Sequence, residues 1–258
     1  MVVLETLEFD VSYTVVTMMT SMVFLFIFRL VCPAFSRCIS DRYSSLSYFT
    51  RMEWNDRLIS NVHVVVAVTL ALYVLIVERH LSNEPIWMES VTARNACAIV
   101  VGYMIADIIV MVVYCKLEGF WTFVLHHAVS MYAYVFIMSY GVLTYFGMIR
   151  LLAESSTPFV NHRWYLDTLG YPKNSKAVLI NGISMLIIFF LSRILTLPWY
   201  WYRIWLVTGT EEALRLGHIM LIMYIPCLVL DAFNLYWFYK MLRGAMKVLR
   251  SIKEEIKT

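Results

Sequence analysis

Two adjacent histidines, His126 and His127, lie inside an apolar stretch that covers residues 121–139. A second apolar stretch follows and carries Arg150 and Glu154. Ionisable groups within hydrocarbon are expensive, so each one marks a candidate functional site. A histidine in this setting can act as a general base or as an acyl-accepting nucleophile. We therefore treat the histidine pair as the centre of a candidate catalytic site.

A carboxylate beside such a histidine would orient its ring, and Asp107 and Glu154 are the candidates. Successive helical residues point about 100° apart, so we expect one histidine to face the site and the other to face a neighbouring helix. The pair cannot easily chelate one metal ion, and we expect no metal and no resident cofactor. The structural alternative for Arg150 and Glu154, four residues apart, is an ion pair along one helix.

Polar residues recur at helical spacing on six apolar segments. They are Asp56, Ser60 and His63; Tyr103, Asp107 and Tyr114; His126 and Ser130; Arg150, Glu154, Thr157 and Asn161; Asn181; and Tyr224, Cys227, Asp231 and Asn234. Contact between these polar faces and lipid would be unfavourable, so we expect the faces to converge inside a helix bundle. A rise of about 1.5 Å per residue places the central ones in the same half of the membrane. We predict a polar chamber open to the cytosol above an apolar floor, which suits an amphipathic lipid or fatty-acyl chain.

Some of these polar side chains are predicted to contact the lipid. They are His63, Arg150, Asn161, Asn181, Asp231 and Asn234. A polar side chain in a transmembrane helix can also simply bond a neighbouring helix. That alternative is the simpler one for Ser130, Asn181 and Asn234.

The composition is that of a polytopic helical membrane protein. Hydrophobic residues make up 61% of the 258, the mean hydropathy is +0.70, and the 15% of charged residues cluster between apolar runs. The net charge is only +3, and the basic residues lie beside the apolar segments and form no patch that would bind nucleic acid. The five cysteines form no disulfide framework of the secreted type. These features indicate an integral membrane protein whose partner is lipid.

Seven apolar segments are long enough to cross a membrane. They cover about residues 11–32, 58–77, 96–115, 121–139, 142–160, 177–197 and 216–240. The acidic first ten residues are unlike a signal peptide, so the first apolar segment is expected to be retained as a transmembrane span. A tight turn at Ser139-Tyr140-Gly141 joins the fourth and fifth segments, and Pro158 is expected to break or kink the end of the fifth. We divide the chain into residues 1–44, a membrane domain at 45–245 and a basic cytosolic tail at 246–258.

The distribution of lysine and arginine predicts the orientation. With seven spans and the N-terminus outside the cytosol, fifteen basic residues face the cytosol and five face the other side, with Arg150 left within the membrane. The positive-inside rule favours this arrangement, which places the C-terminus in the cytosol. The five on the other side are Arg79, Arg94, Arg193, Arg203 and Arg215.

Several motifs in order resemble the TLC-domain family, which includes ceramide synthases. They are EWNDR at 53–57, GYMIAD at 102–107, LHHAVSMYAY at 125–134, RLLAESSTPFVNHRW at 150–164, YPKNSKAVLING at 171–182 and LD at 230–231. The resemblance covers about residues 45–250. It implies a multipass protein of the endoplasmic reticulum or a related internal membrane that acts in lipid homeostasis. It also implies a six-helix barrel with one extra helix.

The resemblance further implies a chemistry. In ceramide synthases the paired histidines belong to the site that passes a fatty acyl group from acyl-CoA to a sphingoid amine, and His126 and His127 match that pair. The Asp-rich stretch of those enzymes is replaced here by ESSTPFVNHRW, in which Glu154 is the acidic residue. Two functions stay open, a lipid-homeostasis protein without turnover and an acyltransferase with acyl-CoA as co-substrate. The catalytic set would be His126, His127, Asp107 and Glu154.

Overall fold

The computed structural model describes residues 9–114 and 119–255, with the backbone alone at 249 and 251–255. Within these ranges the chain is helical and has no strand. Sequence predictions that concern Cys115, Lys116 and most of the acidic N-terminus fall on residues 115–118 and 1–8, outside the described residues. The last three residues of the predicted tail, 256–258, also lie outside them.

Six helices of the described chain are long and apolar enough to cross a membrane. They are α1 (Ser12–Ile39), α2 (Tyr48–Val77), α3 (Val91–Tyr114), α4 (Phe120–Tyr140), α7 (Lys176–Val207) and the span Gly217–Val248. The last span is a 3-10 turn, Gly217–Met220, followed by α9 (Leu221–Glu255). Such helices satisfy their own backbone hydrogen bonds, which a hydrocarbon environment requires. The prediction of an all-α polytopic membrane protein is confirmed.

The predicted fifth span is divided into three helical pieces and is not among the six. α5 (Thr144–Leu151) passes into a 3-10 segment, Leu152–Ser156, which leads into α6 (Thr157–Thr168). Pro158 occupies the first turn of α6, where its missing N–H costs no hydrogen bond. The interruption therefore precedes the proline, and it falls where Glu154 breaks the apolar run.

Side-chain caps define where several helices begin. Ser47 accepts a hydrogen bond from the backbone N–H of Thr50 at the start of α2, and Ser175 does the same for Val178 at the start of α7. The short α8 (Glu211–Arg215) is capped by Thr210. These hydroxyls satisfy N–H groups that have no partner within the helix. At the other end of the chain, α9 continues through residue 246, where the predicted tail begins.

The turn between α4 and α5 is as tight as predicted. Gly141 has φ +70° and ends α4, and Leu143 adopts φ +60° just before α5. The buried guanidinium of Arg94 donates to the carbonyls of Met138, at 2.7 Å, and Ser139, at 3.2 Å. Arg94 thus closes the carbonyl end of α4, where a cation is favourable.

The first helix packs against α3 from outside the rest of the bundle. Gly102 allows this approach, because a Cβ there would lie 2.5 Å from the carbonyl oxygen of Thr17 and 2.8 Å from Cβ of Thr20. Helices α2, α3, α4, α6, α7 and α9, with the 3-10 segment Leu152–Ser156, line the cavity described next.

Candidate functional site

A chamber of about 350 Å³ lies among the helices. Six segments contribute its lining, namely α2, α3, α4, the 3-10 segment with α6, α7 and α9, and no described residue of α1 does. This agrees with the predicted arrangement of six segments around a chamber and one plain first helix. The volume falls in the range of small-molecule binding sites.

The chamber brings together six of the predicted site residues, which come from four different segments. They are His63, Asp107, His126, His127, Glu154 and Asn161. The other four, Arg150, Asn181, Asp231 and Asn234, lie outside the chamber lining. The sequence therefore identified residues of the site but did not separate them from polar residues that join helices.

The carboxylate of Asp107 lies beside His127. Nδ1 of His127 is 3.5 Å from Oδ2 of Asp107, and the phenol of Tyr103 donates a 3.0 Å hydrogen bond to Oδ1. The Tyr103 ring stacks on the ring of His63, with centroids 3.9 Å apart and an interplanar angle of 7°. One carboxylate is thus fixed by Tyr103 and faces an imidazole, which is the arrangement of a base and its orienting group. Of the two carboxylates considered from sequence, Asp107 is the one within reach of the histidine pair.

Both adjacent histidines line the chamber, so the expectation that only one would face it is wrong. Their ring centroids are 5.7 Å apart. His126 packs edge-on against Trp237 of α9 at 5.3 Å, and Trp237 lines the chamber as well. His126 reaches the chamber beside Trp237 of α9 and His127 reaches it beside Asp107 of α3, so two residues 100° apart on α4 both line it.

Several polar atoms of the lining have no hydrogen-bond partner among the described residues. These atoms are Nδ1 and Nε2 of His63, Nδ1 of His126, Nδ1 of His127 and Oδ1 of Asp56. His63 is 1% exposed. Buried polar atoms in folded proteins are normally paired with protein, water or ligand. The imidazoles of the lining therefore keep hydrogen-bonding capacity that no described residue uses.

Arg193 is a lining residue that the sequence did not assign to the site. It lies in α7, is 6% exposed, and donates from Nε to Oγ of Ser156 at 2.9 Å. Its Nη2 is 3.6 Å from Oε1 of Glu154. The sequence counted Arg193 among the non-cytosolic basic residues, whereas its guanidinium is buried inside the bundle on a helix that continues to Val207. The sequence signal that could have identified Arg193 is a charged residue in the last part of a long apolar run.

Arg150 and Glu154 do not pair with each other. Nη1 of Arg150 is 2.5 Å from Oδ1 of Asp231 on α9, whereas Glu154 faces Arg193 on α7. The alternative of an ion pair along one helix is wrong, because the 3-10 segment that begins at Leu152 changes the direction of the side chains that follow. Each charge instead finds its partner on another helix.

The asparagines outside the chamber join helices. Nδ2 of Asn181 on α7 donates to the carbonyl of Phe159 on α6 at 3.1 Å. Oδ1 of Asn234 on α9 accepts from Nη1 of Arg193 at 3.1 Å. Asn161, which does line the chamber, donates to Oδ1 of Asn61 at 2.7 Å. Asn181 and Asn234 thus follow the helix-joining alternative raised from sequence.

Eight residues of the chamber lining are apolar. They are Met104, Met111, Phe123, Val160, Met185, Phe189, Trp237 and Met241. On α3, Met104 and Met111 lie one turn on either side of Asp107, whereas the lining residues of α2 are all polar. The apolar floor stays a prediction. Four of the apolar residues, Met185 and Phe189 of α7 with Trp237 and Met241 of α9, are here called the apolar wall. Thioether side chains in this wall adapt to irregular ligands.

Comparison with known proteins places this architecture in a family. The family model for the TLC domain matches residues 53–243. TLC domain-containing protein 4 of Homo sapiens is 39% identical over 241 residues, covering 93% of this chain and 92% of that protein. The Xenopus tropicalis protein of the same name is 35% identical over 242 residues, with 93% of each chain covered. TLC domain-containing protein 4-B of Danio rerio is 36% identical over 228 residues, covering 88% of this chain and 86% of the relative.

Proposed function

The chain belongs to the TLC-domain family, and we propose that it acts in lipid homeostasis by binding or processing a fatty-acyl lipid in its intramembrane chamber. We place it in the endoplasmic reticulum or a related internal membrane with its C-terminus in the cytosol. The observation that carries the proposal is the composition of the chamber, whose lining combines the polar side chains of His63, His126 and His127 with an apolar wall. An amphipathic lipid would place its polar group against the polar side chains and its acyl chain against the apolar wall.

Native mass spectrometry of the purified full-length chain tests this proposal. The wild type should carry a non-covalent lipid mass. Ser60→Phe puts an aromatic ring into the chamber, because Ser60 is a lining residue, and should abolish that mass. Ser44→Phe is the matched control, since Ser44 is exposed on the 3-10 segment Asp41–Ser45. A wild type without lipid, or equal lipid on all three proteins, would contradict the proposal.

A second candidate function, acyl-CoA-dependent acyl transfer, is favoured by the His127–Asp107 geometry. An amine or hydroxyl of an acceptor would attack the thioester carbonyl, and neutral His127 would take the proton that the acceptor loses. The carbon–sulfur bond then breaks, and the imidazolium returns the proton to the CoA thiolate. Asp107, held by Tyr103, would stabilise the imidazolium between these two transfers. His126 and Glu154 would complete the catalytic set.

Release of free CoA from long-chain acyl-CoA measures this reaction. His127→Ala should abolish release, and His126→Ala should reduce it. His162→Ala, an exposed histidine of α6, should leave it unchanged. Intact mass before and after turnover separates the two possible roles, because a gain of one acyl group means a histidine nucleophile and no gain means a general base. Lipid binding without CoA release would support the lipid-binding function and contradict acyl transfer.

A further inference from the structure

The middle of α7 contains a π-helical segment, Phe190–Ile194. Single π turns inside α-helices are rare and occur frequently at functional sites. This one carries Arg193 and brings its guanidinium into the chamber, where it is 6% exposed. A buried arginine in a membrane helix is costly, so its position calls for a polar role.

The guanidinium of Arg193 keeps donors free. It donates to Oγ of Ser156 at 2.9 Å, to Oδ1 of Asn234 at 3.1 Å and to Oγ1 of Thr157 at 3.4 Å. An arginine has five N–H donors, and these bonds use three of them. The carboxylate of Glu154 is 3.6 Å away, beyond hydrogen-bond distance. Two N–H groups therefore have no hydrogen-bond partner among the described residues.

The charges around this guanidinium select the kind of acceptor. Three carboxyl groups, those of Asp56, Asp107 and Glu154, already line the chamber. The lining cation Arg57 is paired with Glu53 at 2.7 Å, and Lys240 is exposed. A ligand carboxylate would add a further negative charge to this set, and like charges close together are unfavourable. A neutral carbonyl oxygen accepts from the guanidinium without adding charge.

An apolar track leads away from Arg193 along the same helix. Met185 and Phe189 precede it at intervals of four residues, and all three line the chamber. The guanidinium lies 5.2 Å from the centre of the Phe189 ring. An acyl chain laid along Phe189 and Met185 would place its first carbon, the carbonyl, at Arg193.

We propose that Arg193 is the acyl-carbonyl binding residue of the chamber, which therefore takes esters, amides or thioesters of fatty acids and discriminates against free fatty acids. The proposal rests on the lipid-binding function proposed above. It adds the residue that recognises the ligand and the chemical class that this residue selects.

The test uses three probes with the same chain length and different ends: methyl oleate, oleate at pH 8, and 1-octadecene. Their dissociation constants are measured by native mass spectrometry on the delipidated full-length protein. Hydrogen bonds to a charged donor correspond to about a tenfold effect or more. Wild type should bind methyl oleate about tenfold or more tightly than octadecene, and more tightly than oleate.

The diagnostic variant is the double substitution Arg193→Gln with Glu154→Gln, which removes both charges and leaves neither partner buried alone. It should lose the preference for methyl oleate over octadecene and keep the affinity for octadecene. Arg203→Gln is the control, because Arg203 donates to the carbonyl of Ser82 away from the chamber. A thermal unfolding midpoint near that of wild type shows that the double variant is folded.

Two results would overturn the inference. Oleate binding as tightly as methyl oleate would contradict the selection by charge, and an ester preference retained by the folded double variant would remove Arg193 from recognition. In both cases the chamber still binds lipid, so the proposed function survives. If none of the three probes binds, the proposed function fails and this inference fails with it.

Discussion

The ion pair between Arg150 and Asp231 should stabilise the fold and not bind lipid. Arg150 of α5 donates to Oδ1 of Asp231 at 2.5 Å and lies 3.9 Å above the ring of Tyr200. The two charged side chains are 13% and 9% exposed. Trp201 donates to the other carboxylate oxygen at 2.7 Å. The pair therefore joins α5, α7 and α9 at a place outside the chamber lining.

Removing one partner leaves the other charge buried. Arg150→Met would leave the Asp231 carboxylate with the Trp201 indole as its described donor, and breaking a buried pair in this way costs about 3–5 kcal/mol. Replacing both partners by apolar residues of similar size is often nearly neutral. The double variant Arg150→Met with Asp231→Leu should therefore recover most of the stability that the single variant loses.

Unfolding of the full-length protein in mixed micelles with increasing SDS measures these free energies. The single variant should be the least stable, and the double variant should lie close to wild type. Arg37→Met, at an exposed position of α1, is the matched control and should change little. The lipid carried by the folded fraction should be the same in all four proteins. A single variant as stable as the control, or a double variant as unstable as the single, would refute the reasoning.

Two further predictions concern the outer parts of the bundle. Gly102→Ala should lower the unfolding free energy by roughly 1–3 kcal/mol, since the added Cβ would clash with Thr17 where α1 packs on α3. Gly182→Ala is the control and should leave the unfolding free energy unchanged, because nothing lies within 4 Å of its added Cβ. Equal effects of the two substitutions in SDS unfolding would contradict the prediction. The pKa of Asp10 lies below its ordinary value of 3.8, chiefly because Ser12 donates a side-chain hydrogen bond to it. The stability that its carboxylate adds is present above the unfolded value and is lost as the pH falls through the lower folded value. Thermal unfolding should therefore show Asp10→Asn less stable than wild type at pH 7, with the difference shrinking below pH 3.8, and a difference independent of pH would exclude this role.

The sequence was sufficient for the class of fold, and six of the ten site residues predicted from it line the chamber. Long apolar runs require helices in a membrane, and their polar residues at helical spacing identify inward faces. His126, His127, Asp107 and His63 meet in the chamber for that reason. The turn at Gly141 was also predictable, because a residue with positive φ that ends a helix is most often glycine.

The partners of buried charges could not be read from the sequence. Helical spacing suggests contacts within one helix, so Arg150 was matched with Glu154, whereas its partner is 81 residues away. Arg193 was assigned to the membrane boundary and not to the chamber, because the expected end of its helix lay near residue 197, whereas the helix continues to Val207 with a π turn on the way. Both errors come from long-range packing and local helix irregularities, which a hydrophobic pattern does not encode.

Photolabelling tests directly whether a fatty-acyl chain occupies the chamber. Cells expressing the full-length protein are fed a fatty acid with a mid-chain diazirine and a terminal alkyne, irradiated, and the labelled peptides of the purified protein are sequenced. Label is expected on the apolar wall, at Met185, Phe189, Trp237 and Met241, and should be lost in Ser60→Phe. Label confined to exposed membrane-facing residues such as Leu30 and Val112, with the apolar wall unlabelled, would contradict it.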